Sequence, residues 1–511
     1  MATTEFVPAA APARWAKVID HTRCIGCHAC TTACKSENRV PLSVTRTYVK
    51  YVDVGVFPET RRAFQVTRCN QCEDAPCVMA CPTAAMFRRR DGIVDFDKSA
   101  CIGCKACIAA CPYDAIFINP EDHSAEKCNL CAHRIDIGLE PACVVVCPTE
   151  AIVVGDVSAP DSRVARLIGR DAVTVRRPEK GTRPALFYKG AHQATLDPIA
   201  ARRPEGGLFL WSEQGDVPYQ VTSGHPGAWN SSAAAVLAYD VPHRAPWDWR
   251  VSLYTWTKSI ASGTWLVAWL LAWLGSASWT GPLWLRAAPL IALGFLALTG
   301  AILVWDLEQP GRFHYIFLRP QWKSWLVRGG FIIAAWSMLL AVHVIIGLAG
   351  NGAGTRLLAW AGVPLAIATA VYTAYLFAQA RARDLWQNPL SPTHLLVQAV
   401  LAGSAVLAVL SVALEPAATH ALLVTMGAAA GLHLLLVGGE STLTHGTAHE
   451  RLAWWELVRG RWRPFFFAGL ALVAPAALAP WLGVWTAAPA LVGLLAYEHA
   501  WVQAGQSVPL A

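Results

Sequence analysis

All 16 cysteines of this 511-residue chain lie between Cys24 and Cys147, and they form four groups of four. Two-residue gaps within a group let the backbone curl around one face of an iron–sulfur cubane, with amide N–H groups directed at its sulfurs. The last cysteine of each group follows a three-residue gap, so it leaves the curl and can ligate a neighbouring cluster. The groups are Cys24, Cys27, Cys30 and Cys34; Cys69, Cys72, Cys77 and Cys81; Cys101, Cys104, Cys107 and Cys111; and Cys128, Cys131, Cys143 and Cys147.

Three of the groups end in a Cys-Pro pair, at Pro82, Pro112 and Pro148. Proline suits the first turn of a helix, so the pattern predicts a helix that carries the chain away from each cluster. Zinc sites and scattered structural cysteines are the alternatives, but a zinc module typically shows two close cysteine pairs per ion. The N-terminus shows neither the apolar core of a signal peptide nor a twin arginine, so we expect metal ligation and not a disulfide framework.

From residue 15 to about 200, this pattern resembles the four-cluster iron–sulfur subunit of membrane-bound molybdopterin oxidoreductases, of the dimethyl sulfoxide reductase, polysulfide reductase and formate dehydrogenase type. The resemblance implies an α+β iron–sulfur domain of tandem bacterial-ferredoxin folds. Because the third group is complete, we expect four [4Fe–4S] clusters and no three-iron cluster. The implied ligand sets are Cys24, Cys27, Cys30 and Cys147; Cys34, Cys128, Cys131 and Cys143; Cys69, Cys72, Cys77 and Cys111; and Cys81, Cys101, Cys104 and Cys107.

The second half of the chain is much more apolar, in a sequence that is 54% hydrophobic and only 15% charged. From Trp249 onward it offers runs of near spanning length, each needing about 20 residues. They predict an all-α membrane domain of about eight transmembrane helices, with tryptophans at the run ends as expected for interface belts. The runs are 252–274, 284–306, 326–349, 357–379, 394–415, 419–439, 465–482 and 485–503.

These patterns divide the chain into a cluster domain at 1–155, a Pro- and Gly-rich segment at 156–248 and a membrane anchor at 249–511. A poorly ordered linker is the simplest reading of the middle segment. Its aromatic residues favour an extended arm packed on the domains or on a partner, because such side chains need burial. These aromatics are Phe209, Trp211, Tyr219 and Trp229.

Basic residues in the loops predict the orientation in the membrane. The loops on the side of the cysteine domain are rich in arginine and lysine, whereas the opposite loops offer only Arg286 and Arg356. By the positive-inside rule, the iron–sulfur domain faces the cytoplasm of a bacterial or archaeal inner membrane. The basic residues form no dense patch with exposed aromatics, so we expect no nucleic-acid partner.

Two stretches resemble the polysulfide-reductase-type (NrfD-like) quinone-reactive membrane anchor, which has eight helices and no haem. They are "DWRVSLYTWTKSIASG" at 248–263 and "WDLEQPGRFHYIFLRPQWKSWLVRG" at 305–329. Many relatives encode the anchor and the iron–sulfur subunit separately, whereas here the two are fused. The best-studied relatives place the iron–sulfur subunit outside the cytoplasm, and the charge pattern of this chain departs from that arrangement.

Ionisable residues near the cluster side of the membrane are candidates for quinone and proton chemistry. Lys258 and Asp306 are the candidate quinone residues, although arginines and lysines near helix ends also snorkel without any catalytic role. Glu440 and His445 are candidates for proton transfer, with a hydrogen-bonded structural cluster as the alternative. The only histidines placed to pair on a haem are His343 and His433, and we expect no haem.

No P-loop, dinucleotide fingerprint or nucleophile constellation occurs in the sequence. We therefore expect an electron-transfer and membrane-anchor subunit without a substrate site of its own. The resemblances imply that it connects a catalytic molybdenum- or tungsten-bisPGD subunit with menaquinone or ubiquinone in the membrane. The alternatives are an ion-translocating redox module served by soluble electron carriers, and a passive anchor.

Overall fold

The computed structural model describes residues 12–202, 225, 228–241 and 243–511. The cysteine-bearing part is built from short strands and short helices, and the rest is helical. The strands are β1 (Trp15–Asp20), β2 (Thr47–Val54), β3 (Arg61–Arg68), β4 (Met86–Arg88), β5 (Val94–Phe96), β6 (Ile116–Ile118), β7 (Ala125–Lys127), β8 (Ile152–Asp156), β9 (Val173–Thr174), β10 (Leu186–Lys189) and β11 (Val236–Tyr239). Helices α1 to α7 of this part are Ala29–Glu37, Pro76–Ala80, Ala106–Ala110, Ala132–Ile135, Ala142–Val145, Arg163–Arg170 and Gln193–Leu196.

The strands form two small sheets and two hairpins. One sheet has the order β8-β1-β10-β9, in which β1 pairs parallel to β10 and antiparallel to β8. The other has the order β11-β2-β3, and the hairpins β4-β5 and β6-β7 follow the second and third cysteine groups. Short helices alternate with these strands and carry cysteines of each group. The predicted α+β ferredoxin-like class is confirmed.

The helices predicted after the Cys-Pro pairs are absent, and that prediction was wrong. After Cys81, Cys111 and Cys147 the chain makes a tight turn and enters strands β4, β6 and β8. The fixed φ of proline suits the second position of such a turn as well as it suits a helix start. The chain thus turns back into a strand after each of these cysteines, instead of being led away by a helix.

Much of the described segment between the last cysteine and the membrane packs on the cysteine-bearing part. Strands β9 and β10 extend the sheet of β1, and β11 extends the sheet of β2. Trp229 is 78% exposed, and the guanidinium of Arg61 lies over its ring at 3.6 Å. The aromatics at 209, 211 and 219 lie outside the described residues. The division of the chain at 155 and 248 stays a prediction.

The helical part begins with α8 at Trp249–Trp273 and ends with α18 at Ala487–Ser507. Among the described residues, six helical segments are long and apolar enough to cross a membrane: 283–305, 325–348, 352–378, 391–414, 416–442 and 463–482. The first and eighth predicted runs form α8 and α18, which are long but less apolar because they carry buried polar side chains. The predicted count of about eight is therefore approximate. Between α8 and α18 lie α9 (Ala288–Trp305), α10 (Tyr315–Leu318), α11 (Trp325–Leu348), α12 (Gly352–Ala378), α13 (Ser391–Leu414), α14 (Thr419–Thr442), α15 (Ala448–Val458), α16 (Arg463–Val473) and α17 (Ala479–Leu482).

Helix α8 is central, and it contacts α9, α12, α13 and α18. Its crossing with α13 is close because both helices present glycine at the contact. A Cβ atom added at Gly263 would lie 1.6 Å from the carbonyl oxygen of Ala399, and one at Gly403 would lie 2.0 Å from the carbonyl carbon of Gly263. Small residues at a crossing let helix backbones approach in a membrane, where no hydrophobic force draws helices together.

We expect Gly263→Ala to destabilise the membrane part by about 1–3 kcal/mol or more, because backbone atoms cannot move aside for the methyl group. The matched control is Gly294→Ala in α9, where an added Cβ meets nothing within 4 Å. The measurement is thermal unfolding of the detergent-solubilised protein. A lower Tm for the first variant only is predicted, and equal Tm values for both would contradict the close crossing.

Candidate functional site

The structure brings cysteines of different groups together. The thiol of Cys24 has Cys27, Cys30 and Cys147 as electrostatic neighbours. Cys34 faces Cys128, Cys131 and Cys143 across the domain. Cys72 lies near Cys69, Cys77 and Cys111, and Cys107 lies near Cys81, Cys101 and Cys104. Cys34 therefore lies near cysteines of the fourth group, and the members of each implied set are neighbours, although Cys30 also neighbours Cys143 and Cys107 also neighbours Cys77.

The cysteines line small cavities between the strands and helices. None of the sixteen forms a disulfide. One cavity is lined by Cys81, Cys101, Cys104 and Cys107, and another by Cys34, Cys128, Cys131 and Cys143. In the described ranges, no three His, Cys, Asp or Glu side chains converge closely enough to bind one metal ion. The ligand assignment itself stays a prediction.

Backbone amides point at the sulfurs, as the two-residue gaps predict. The N–H of Gly103 donates to Cys101 Sγ at 3.4 Å, and the N–H of Met86 donates to Cys81 Sγ at 3.3 Å. The curl needs the left-handed conformation of Gly103, with φ of +69°. Glycine is the residue that adopts this conformation without strain.

Buried cations lie beside the second ligand set. Arg68 Nη1 donates to Cys143 Sγ at 3.1 Å. Burial alone would raise the pKa of the Cys128 thiol, but the charges of Lys17, Arg68 and Lys127 outweigh it and lower that pKa below its usual range. The chain thus places positive charge where thiolates and an anionic cluster would lie.

The set containing Cys104 lies against the membrane part. The indole N–H of Trp247 donates to the Cys104 carbonyl at 3.3 Å, and Arg312 donates to the Cys101 carbonyl at 3.0 Å. Ser324 donates to the carbonyl of Ala80 at 2.8 Å. A Cβ added at Gly103 would lie 2.4 Å from Glu308 Cβ, so the two parts are in direct contact here.

Asp306, one of the two predicted quinone residues, lies in this contact. Its carboxylate is 3.5 Å from Lys105 Nζ and 3.4 Å from Arg250 Nε. Burial raises the pKa of Asp306 to about 6, although both cations act to lower it. Asp306 is thus held between the cysteine-bearing part and the start of α8.

Lys258, the other predicted quinone residue, is fully buried within the helical part. Its ammonium donates to the Ala370 carbonyl at 2.7 Å and to Thr373 Oγ1 at 2.9 Å. It also interacts electrostatically with Glu498 of α18, whose carboxylate accepts a 2.6 Å bond from Thr255. Lys258 does not snorkel, and the structure does not bring it into contact with Asp306.

A small cavity opens next to Glu498, between α8, α12, α13, α14 and α18. It is lined by both aromatic and ionisable side chains. The Tyr497 hydroxyl and the Glu498 Oε1 atom are buried there and have no partner among the described residues. Its aromatic side chains are Phe377, Tyr497 and Trp501, and its ionisable ones include His394, Glu440 and Glu498.

The proton-transfer candidates separate in space. Glu440 lines the cavity, where it accepts a 2.8 Å bond from Asn388 and lies 3.6 Å from His394. His445 instead stacks on the ring of Trp454 and lies 3.4 Å from Glu450. The sequence pattern placed Glu440 and His445 together because they are close in sequence, but α14 ends between them at Thr442.

The two deep histidines have separate partners. His433 bonds to His394 at 2.9 Å, whereas His343 accepts a 3.0 Å bond from the indole of Trp265 and packs against Trp284. His343 thus belongs to a tryptophan cluster, and His433 belongs to the network around the cavity.

An aromatic contact joins the cavity to the cysteine-bearing part. The ring of Trp247, bonded to Cys104, lies 5.8 Å from the ring of Phe377 and 5.5 Å from that of Trp386. Phe377 lines the cavity and lies 5.3 Å from Trp501. His394, Glu498 and Trp247 were missed from sequence, although an acid and a histidine inside apolar runs are a signal of function.

The known protein families that match this chain agree with this description. A 4Fe-4S binding domain matches residues 21–43, a 4Fe-4S dicluster domain matches 60–157, and the polysulphide reductase NrfD family matches 240–502. All sixteen cysteines fall within the first two matches. The fold and the matches define an electron-transfer iron–sulfur subunit fused to a membrane anchor. The chain therefore belongs to the NrfD family, and the predicted resemblances are confirmed.

Curated relatives cover the cysteine-bearing part. A tetrathionate reductase subunit of Salmonella typhimurium is 43% identical over 208 residues, which are 39% of this chain and 80% of the relative. A polysulfide reductase chain of Wolinella succinogenes is 41% identical over 177 residues, 34% of this chain and 93% of the relative. Protein NrfC of Escherichia coli is 40% identical over 177 residues, 34% of this chain and 79% of the relative.

Proposed function

We propose that this chain relays electrons between a catalytic molybdopterin subunit and a quinone bound at the cavity lined by Phe377, His394 and Glu498. The observation that carries the proposal is the contact from Cys104 through Trp247 to Phe377, which links a cysteine set directly to the cavity wall. The relatives support a role in a reductase complex, because their names are those of reductase subunits and electron-transfer proteins.

Each cysteine set would hold one [4Fe–4S] cluster, which supplies one-electron transfer when bound. The chain contributes the thiolates, the N–H···S bonds that stabilise them and the buried cations that offset their charge. The set with Cys104 would be the exit to the membrane, because Trp247 and Arg312 hold it against the helices.

The cavity has the side chains that a quinone needs. Phe377, Tyr497 and Trp501 offer aromatic surface for a flat apolar ring. The imidazole of His394 can donate to a quinone oxygen, and the carboxylate of Glu498 can accept from a hydroxyl of the quinol. Glu440 can exchange protons with His394. Lys258 acts as a positioning residue, because its charge lies beside Glu498. In this proposal the quinone contacts residues other than Lys258 and Asp306. Menaquinone and ubiquinone both fit the description.

We infer from the charges of the loops that the iron–sulfur part faces the cytoplasm. Arg312 and Arg381 follow the ends of α9 and α12 on the side of the cysteine sets, whereas Arg286 and Arg356 lie near the opposite ends. The positive-inside rule then supports a cytoplasmic catalytic partner.

A second candidate function is ion translocation driven by electron transfer. The observation that favours it is that Lys258 and Glu498 are both buried in the helical part and interact electrostatically, because ionisable groups inside a membrane part commonly mark proton relays. Proton flux measured in reconstituted vesicles during quinone reduction separates this candidate from a simple relay.

We expect His394→Phe to lower the affinity for a short-chain quinone at least tenfold, because the cavity loses its imidazole partner. The clusters should remain, so the iron content and the electron paramagnetic resonance (EPR) spectrum of the dithionite-reduced protein should not change. The control is His420→Phe. His420 is exposed and lies at the end of α14 that is far from Glu440. Equal quinone affinity in both variants and the wild type would contradict the proposed cavity.

The partner is tested by purifying the solubilised complex and quantifying molybdenum, tungsten and iron in the same sample. A large co-purifying subunit with molybdenum or tungsten is the expected result, with about sixteen irons assigned to this chain, four for each of four clusters. Purification of the chain alone under mild conditions, with iron but neither other metal, would contradict the molybdopterin partner and favour the ion-translocating module.

A further inference from the structure

Among the described residues, no carboxylate forms an ion pair with either of two buried cations next to the second ligand set. Lys17 is 2% exposed and Arg68 is 1% exposed. Among the described residues, the Lys17 ammonium has no hydrogen-bond partner, and Arg68 leaves its Nε and Nη2 atoms unpaired. A buried charge without a partner is costly, so such a pair indicates an anion that the two cations face.

Both side chains line the same small cavity as Cys34, Cys128, Cys131 and Cys143. Arg68 reaches Cys143 Sγ at 3.1 Å, and both cations interact electrostatically with Cys128. Arg46, a third cation of the cavity wall, forms an ion pair with the carboxylate of Glu126 at 2.7 Å.

The cavity of the set with Cys104 differs in this respect. Its lysine, Lys105, is paired with Asp306 at 3.5 Å and with Glu308 at 3.1 Å. Positive charge at that set is therefore offset by carboxylates of the membrane part. The second set is the one that Lys17 and Arg68 both face, although Arg68 also acts on Cys30 of the first set and Lys17 on Cys69 of the third.

We propose that Lys17 and Arg68 set the reduction potential of the cluster held by Cys34, Cys128, Cys131 and Cys143, making it easier to reduce. This inference rests on the proposed function, in which that set holds a [4Fe–4S] cluster. Reduction adds one electron, and hence one negative charge, to the cluster without breaking any bond. A cation a few ångströms away stabilises the reduced form more than the oxidised form, and burial keeps that interaction strong. Charge and hydrogen bonds to the sulfurs are two of the factors that set such potentials.

The test is an anaerobic redox titration of the full-length protein, followed by EPR spectroscopy. We expect Arg68→Gln and Lys17→Met each to lower the potential of one cluster. The shift should change its oxidised-to-reduced ratio at a fixed poise at least tenfold, which is about 59 mV for a one-electron couple. Arg68→Lys should restore most of the potential, because it keeps the charge.

The matched control is the double variant Arg46→Gln with Glu126→Gln. It removes an ion pair from the wall of the same cavity and leaves the net charge unchanged, so it should disturb the packing without moving the potential. If all four clusters assemble and the single variants leave every potential within the error of the wild type, the inference is overturned while the proposed function stands. If Arg68→Gln prevents assembly, the Lys17→Met titration decides by the same criterion. Absence of clusters from the wild-type protein would overturn the proposed function itself.

Discussion

The bond between the Trp247 indole and the Cys104 carbonyl fixes how closely the two parts of the molecule meet, and the proposed function depends on that approach. Electrons can pass between a cluster and a membrane cavity only if little protein separates them. Around this bond, the glycine at 103 lets Glu308 approach, Arg312 caps the backbone of the cysteine loop, and Lys105 is paired with acids of the membrane part. The contact is polar and specific, so the two parts meet in one register.

The two parts deal with buried charge in opposite ways. The cysteine-bearing part contains sixteen thiols and has buried cations beside them. Among the described residues, Lys17 and Arg68 have donor atoms without a hydrogen-bond partner. The helical part instead buries a few ionisable groups in an apolar surrounding, where Lys258 donates to the Ala370 carbonyl and Thr373, and Glu440 accepts from Asn388. Ionisable groups at such depth are costly and are usually retained for function.

Much of this architecture can be predicted from the sequence. The spacing of the cysteines indicates clusters, and the apolar runs give the helices, because both signals are local in sequence. The turns after Pro82, Pro112 and Pro148 were predicted wrongly, because proline begins turns and helices alike. The cavity could not be predicted, because its walls come from five helices and depend on which faces of them meet. Hence His394 and Glu498 were missed, while His445 was grouped with Glu440 on sequence proximity alone.

The most direct test of the account is single-turnover reoxidation of the dithionite-reduced protein by a short-chain quinone, followed by cluster absorbance. The account predicts that the wild-type clusters are reoxidised and that Trp247→Leu slows the reaction at least tenfold with quinone affinity unchanged. Trp249→Leu, at a half-exposed neighbouring tryptophan, should react like the wild type. Clusters that the quinone leaves reduced, or equal rates in both variants, would contradict the path through Trp247.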